Sequence, residues 1–592
     1  MKFLVDVFKN SEVFNSLEKA VVHGGSVCAT GLSAVHKAHI IYSLCCRKSA
    51  TAFCVASDER EAQTICNDLA SMGMRAYFYP ERDFNFRDIQ SASREYEHAR
   101  LKVLLKLIDG ECDVVVSCID AASQFTVPKE FLRDCVLTLK EGLEISIEKA
   151  VRTLTLLGYE RFDAVEGSGQ FSVILDFFMP DAENPVRAEF WGDEITDLSF
   201  FDIDTQRRGE KAGEIRLSPS AEVIIEDRTV LADKIENLAK GVRGKKAPQV
   251  KETLLSEADS IRSGAMLSNT DKFIPLLYDK AETLFDYLDR DTLIFTSEFN
   301  NISERGRAMD FRNEETVKSA FEDGILCRGL DKYSLTFAEC VDIFTSHGIV
   351  MLEGFVHGST TIPLRKIVSF SAKQLSVWNG SYKQLEEDLN GMLTAESCGV
   401  VLAGTDKAAK NLCDSLRNDG IPAQYADKLS EIKKNALFVL PGTLSAGFEY
   451  PLEKFFIITQ GHISYVPKKK ARKKMSKDSR EVYSLSELSQ GDYVVHSVHG
   501  IGIFGGIRKI DTHGIVKDYI KIEYAKGDVL YVPVTQLDMV AKYIGPSENS
   551  RVRLNKLGSQ DWQKAKSRVK ASVKDIAKEL IALYSARMKA KG

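Results

Sequence analysis

No apolar run in this 592-residue sequence approaches the ~18 residues a membrane-spanning helix needs, which excludes such a span within it. The segment Met1 to Lys9 is too short and too charged for a signal peptide, so the expected site of action is the cytoplasm, with no membrane partner. Paired C-x-x-C motifs are also missing. The twelve cysteines (Cys28, Cys45, Cys46, Cys54, Cys66 and onward) are scattered, which predicts buried reduced thiols rather than disulfides or metal ligands. Charge of one sign is lacking as well: 79 basic against 84 acidic residues give −5, so any contact with a polyanion must be local.

An intact phosphate loop is absent too, although its place is recognisable. Cys28-Ala29-Thr30-Gly31-Leu32-Ser33-Ala34-Val35-His36-Lys37-Ala38 lies between a first short strand and a helix, where a nucleotide-binding chain carries G-x-x-x-x-G-K-[ST]. In such loops glycines let backbone N–H groups curl around phosphates, Lys reaches the terminal phosphates and a hydroxyl ligates magnesium. Gly31 and Lys37 survive here, but Val35-His36 replaces the glycine segment and Ala38 has no hydroxyl. Gly241-Val242-Arg243-Gly244-Lys245-Lys246 lacks both spacing and hydroxyl, and no D-E-x-x box is expected anywhere in the chain. Whether the segment is a remnant nucleotide site or an ordinary strand-to-helix turn, it predicts no bound nucleotide, no cofactor and no enzyme activity.

What is present has the length for three to five domains of roughly 100 to 200 residues. Residues 1–118 alternate β-rich runs with helical stretches, the rhythm of a parallel α/β sheet. Residues 119–205 change to a compact α+β texture, 206–330 return to α/β, and 345–460 repeat the α/β rhythm. The expected fold class is therefore multidomain α/β: a split parallel domain with an inserted α+β module, and a second small α/β domain. A basic stretch around Lys468 to Lys477, within 461–483, reads as a solvated linker that could touch DNA weakly.

Residues 484–546 switch to short strands and tight turns, which predicts a small SH3-like or Tudor-like barrel. Gly500-Ile501-Gly502-Ile503-Phe504-Gly505 spells G-x-G-x-x-G, but β-type sequence continues on both sides, so the glycines are expected to permit bulges. His496 and His499 flank that turn without a third ligand nearby and are read as core or turn histidines. In 547–592, Trp562, Val569, Val573, Ile576, Leu580 and Leu583 make one apolar stripe on a long helix.

Two stretches carry a resemblance. Gly158-Tyr159-Glu160-Arg161-Phe162-Asp163-Ala164-Val165-Glu166-Gly167, with Asn184-Pro185-Val186-Arg187-Ala188-Glu189-Phe190-Trp191-Gly192-Asp193 and Phe201-Asp202-Ile203-Asp204, resembles the UvrA-binding domain shared by UvrB and the transcription-repair coupling factors. Gly491-Asp492-Tyr493-Val494-Val495-His496, His499-Gly500-Ile501-Gly502 and Leu530-Tyr531-Val532-Pro533-Val534 resemble the CarD-like RNA-polymerase-interacting domain of the coupling factors. Their order, behind a degraded phosphate loop, is similar to the N-terminal part of that family.

The resemblance implies a non-catalytic adaptor that docks on the β subunit of stalled RNA polymerase and recruits UvrA. Family members continue into an ATP-dependent DNA translocase, which would supply the DNA contact. UvrA contacts fall on Arg187, Phe190 and Trp191, and polymerase contacts on Arg508, Lys509 and Ile510 through strand addition. One departure is that Ile174-Leu175-Asp176-Phe177 follows Val173, where the family carries an Arg-bearing turn that also contacts UvrA. A monomer is expected. The alternatives are a CarD-like transcription regulator acting through the barrel alone and a UvrB-type damage-recognition helicase, the latter requiring a working phosphate loop.

Overall fold

The computed structural model describes residues 1–82, 95–460 and 490–542 with Phe84, Phe86 and Leu554, apart from positions 163, 166, 173–174, 181, 183, 204, 265–266, 268, 279, 357–360, 379, 395, 430, 497–498, 513–514 and 534–539. The basic linker around Lys468 to Lys477, the Arg-bearing turn position at Val173 and the expected helix of 547–592 lie outside the described residues. The chain divides into two compact units, Met1–Arg82 with Tyr96–Lys474, and Asp83–Glu95 with Met475–Gly592.

In the first unit the chain lays down β1 (Ser26–Thr30), β2 (Ala52–Ala56), β3 (Ala76–Tyr79) and β4 (Val114–Cys118). It then builds an insert from β5 (Leu137–Lys140), β6 (Glu160–Arg161), β7 (Gln170–Phe171), β8 (Asp176–Phe177), β9 (Val186–Trp191), β10 (Glu194–Phe201), β11 (Arg208–Lys211) and β12 (Glu214–Leu217). It returns through β13 (Leu293–Ser297), β14 (Ile349–Leu352) and β15 (Leu364–Ser369) to a seven-stranded sheet ordered β15-β1-β14-β13-β2-β4-β3, in which every described pairing is parallel. Strands such as Val114-Val115-Val116 are buried on both faces, as parallel strands covered by helices require.

Two boundaries differ from expectation. The insert's strands run from Leu137 to Leu217, not 119–205: β12 pairs back onto β5, while Ile119, Ala121, Ala122 and Leu132 pack in the apolar cluster of β2 and β4. The next module begins later than 345, because β14 and β15 lie on either side of β1 (Val27 opposite Val350 and Lys366). That module is a six-stranded mixed sheet of β16 (Lys373–Leu375), β17 (Cys398–Leu402), β18 (Ala423–Tyr425), β19 (Ala436–Leu440), β20 (Gly447–Tyr450) and β21 (Phe455–Thr459). The second boundary was hidden because α/β texture continues across it.

The helix Ala34–Lys48 is buried at every residue from Val35 to Cys45. A helix enclosed all round must have packing partners on both sides. Its apolar side chains share one cluster with β1, β2 and β4 and with β17, β19, β20 and β21. Within it, His39 bonds the Leu4 carbonyl at 2.9 Å and the Tyr450 hydroxyl at 3.2 Å, and burial pushes its pKa down to about 3, so it serves as a neutral connector. Ten of the twelve cysteines are buried; Cys46 is exposed and Cys135 half-buried.

The second unit's described part is a five-stranded antiparallel sheet of β22 (Tyr493–His496), β23 (Gly500–Thr512), β24 (Ile515–Glu523), β25 (Val529–Pro533) and β26 (Val540–Lys542), ordered β25-β24-β23-β22-β26. Its core is Val494, Phe504, Ile520, Ile522, Tyr524, Val532 and Val540. The register of β23 against β24 shifts between Phe504 and Ile507, where Gly505 and Gly506 (φ +87°) sit, so the glycines do form a bulge. Gly502 has a different constraint: a Cβ there would lie 2.4 Å from Ile522 Cγ2.

Candidate functional site

At the degraded phosphate loop, every retained feature is engaged by the chain itself. Gly31 has φ +82°, and a Cβ on it would lie 2.4 Å from the Phe370 carbonyl oxygen. Close backbone approach is thus reason enough for glycine. Ser33 N-caps the following helix, and its N–H and hydroxyl meet His36 Nδ1 at 3.3 and 2.7 Å. Burial lowers the His36 pKa to about 4, keeping it neutral. The Leu32 N–H donates to the Glu353 carbonyl. Ala38 is fully buried in the core.

Lys37 is 2% exposed and surrounded by acids. Its ammonium donates to Glu298 Oε1 at 2.5 Å, Ser297 Oγ at 2.9 Å and Glu61 Oε1 at 3.4 Å. Glu298 holds φ +56°, a left-handed backbone costly for a non-glycine residue, at the start of the helix Phe299–Glu322. Glu353 approaches from the end of β14, accepting the Phe299 N–H at 2.9 Å. Burial and then the neighbouring Glu298 charge raise its pKa to about 7. Two carboxylates bonded to the one ammonium offset the charge that a triphosphate would otherwise meet.

Asp58-Glu59-Arg60-Glu61, directly after β2, does spell D-E-x-x, but its acids hold local structure. Asp58 caps the helix Glu59–Met72, Glu59 accepts the Glu81 N–H at 2.9 Å, and Glu61 takes Ser57, Ser297 and Lys37. Glu298 and Glu353 belong to no motif. The available signal for them was a lysine left behind in a loop without glycines, which must find carboxylates if buried.

On the insert, β9 alternates strictly: Val186, Ala188 and Phe190 face the core while Arg187, Glu189 and Trp191 face outward. Phe190, expected on the contact surface, packs instead against the apolar cluster. Trp191 is 83% exposed, beside a two-residue turn with Gly192 at φ +61° joining β9 to β10. Arg187 is not a free fork. Its Nε and Nη2 donate to both Asp176 oxygens at 2.8 and 2.7 Å, and its guanidinium lies 4.6 Å from the Phe201 ring centroid. Asp176, in the segment that follows Val173, thus ties Arg187 down.

The insert is anchored by buried charge at its exit. Arg100 and Glu222, both fully buried, pair through Nε–Oε2 at 2.8 Å and Nη2–Oε1 at 2.9 Å; Thr126 Oγ1 donates to Glu222 at 2.6 Å, and Glu97 accepts the Glu222 N–H at 2.6 Å.

In the second unit, β23 runs to Thr512 and so includes Arg508, Lys509 and Ile510. Arg508 and Lys509 are exposed, and Ile510 is half-buried opposite Lys517. β22 pairs with β23 only over Gly500–Ile503, so the β22-side edge of Ile507 to Ile510 has no strand partner among the described residues. His496 and His499 form the turn itself: the His499 N–H donates to His496 Nδ1 at 3.3 Å.

These two surfaces coincide with two matches to known families. Residues 137–222 match the UvrB interaction domain, and residues 488–544 match the CarD-like/TRCF RID domain. Along nearly its whole length the chain is similar to curated transcription-repair-coupling factors: 30% identity over 599 residues in Bacillus subtilis (strain 168), covering 99% of this chain and 51% of the relative. The Staphylococcus epidermidis (strain RP62A) protein is 28% identical over 579 residues (95% and 49%), and that of Staphylococcus haemolyticus (strain JCSC1435) 27% over 599 (98% and 50%). The chain spans about half the length of these relatives. With both domains matched in one chain and similarity over nearly its whole length, the chain is similar to the transcription-repair-coupling factors over the part that it spans.

Proposed function

We propose that this chain acts as a non-catalytic adaptor of transcription-coupled repair, holding RNA polymerase by its CarD-like domain and UvrA by its UvrB interaction domain, in the cytoplasm. The observation that carries this reading is the pairing of those two domains in one chain. The acid-enclosed Lys37 supports the absence of nucleotide chemistry at the first sheet. It also disfavours the UvrB-type helicase reading, while the 137–222 match disfavours a regulator working through the second unit alone.

On the insert, Trp191 is the anchor offered to UvrA, since large exposed aromatics dominate protein interfaces when buried by a partner. Arg187 contributes once it leaves Asp176, which makes Asp176 a brake on that contact. On the second unit, the small barrel that its five strands would form presents the edge at Ile507 to Ile510 to a strand of the polymerase β subunit, with Ile510 as apolar anchor and Arg508 and Lys509 meeting acidic groups. Residues 547–592 would lead toward the family's translocase, which would supply the DNA contact.

Separate pull-downs with UvrA and with RNA polymerase test this reading. Trp191→Ala should abolish UvrA retention alone, and Ile510→Arg polymerase retention alone. Retention of neither partner by the wild-type chain would overturn it.

A further inference from the structure

The near-miss phosphate loop at Gly241 to Lys246 lies at the tip of a helical hairpin, between the helices Arg228–Gly241 and Ala247–Arg262. From residue 237 to 251 the sequence holds five basic residues and no acidic one, in a chain whose overall charge is −5. Lys240, Arg243, Lys245 and Lys246 are all exposed, and none forms an ion pair among the described residues. Four of the hairpin's five acids are committed elsewhere: Asp233, Glu236 and Asp259 pair with Arg262, at 2.9, 2.6 and 3.5 Å, and Glu257 with Lys272 at 2.7 Å, while Glu252 lies six residues beyond Lys246. Gly241 and Gly244 have no atom within 4 Å of where a Cβ would stand, so the tip projects freely. The helix from Ala247 has no side-chain cap, and its positive end adds to the same field.

We propose that this tip is a contact for the phosphate backbone of double-stranded DNA. Clustered unpaired cations suit a line of phosphates, whose binding is driven by counterion release and needs no base reading. The tip has no exposed aromatic on which unpaired bases could stack and no exposed large apolar anchor of the kind a protein partner would bury. The contact is separate from the UvrA and polymerase surfaces and does not rest on them.

The test is anisotropy of a labelled duplex of roughly 30 base pairs against the 592-residue chain, from about 50 to 200 mM salt. Changing Lys240, Arg243, Lys245 and Lys246 together to Ala should reduce the slope of log affinity against log salt by about 3 and weaken binding roughly tenfold, with unfolding midpoint unchanged. The same decrement should appear in a chain whose Lys468 to Lys474 basic residues are already Ala. An unchanged slope in either background overturns the proposal. So does a polyglutamate peptide that binds as tightly as the duplex and is lost in the same variant, which would assign the tip to an acidic protein.

Discussion

The Lys37 ammonium and the Glu298 carboxylate meet at 2.5 Å, across a gap of 261 residues, where a phosphate loop would direct its lysine at a nucleotide. Glu61 from after β2 and Ser297 from the end of β13 complete the enclosure. The first sheet therefore uses its loop lysine to join three segments of the fold.

Lys37→Met should destabilise the first unit by about 1 to 3 kcal/mol, because it removes a buried ammonium from two half-buried carboxylates and leaves them without their cation. Denaturant midpoints check this, and adding Glu298→Gln should recover part of the loss. An unaltered midpoint would show that the lysine is not structural.

Glu353 makes the same region sensitive to pH. Its folded pKa, about 7, exceeds the ordinary carboxyl value, so the folded state holds more protons between about pH 4.5 and 7. Its contribution is full below that window and is lost as pH rises through 7. Glu353→Gln should flatten this fall, by on the order of 2 kcal/mol in a pH series of chemical unfolding.

Arg100→Met should cost about 3 kcal/mol, since the fully buried Glu222 would keep only Arg82, 3.5 Å away, as its cationic partner. The double change Arg100→Met with Glu222→Leu should cost less than the single one. Equal losses would mean that packing, not charge, anchors the insert's exit.

Gly502→Val should destabilise the second unit by about 1 to 3 kcal/mol by driving Cγ atoms into Ile522. Polymerase retention should fall while UvrA retention is kept. Trp191→Ala, at an 83% exposed site, should shift stability by less than about 0.5 kcal/mol.

Much of this was legible from local pattern. Strands such as Val114–Cys118 and Ala52–Ala56 announce themselves as β-branched apolar runs, and β9 alternation required that either Phe190 or Trp191 face outward. What local pattern does not carry is pairing at long range. That β14 and β15 sit beside β1, that β12 closes the insert on β5, and that Asp176 holds Arg187 are contacts between distant segments. The acids around Lys37 were hidden for the same reason: Glu298 and Glu353 gain their role only when β13 and β14 are placed.

The most direct test of the adaptor reading is a bridging assay, in which UvrA is captured on immobilised RNA polymerase through this chain after all nucleotide has been removed enzymatically. The account predicts capture that is lost with either Trp191→Ala or Ile510→Arg and is indifferent to added magnesium and ATP. Capture that requires ATP and fails with Lys37→Ala, despite intact folding, would contradict it.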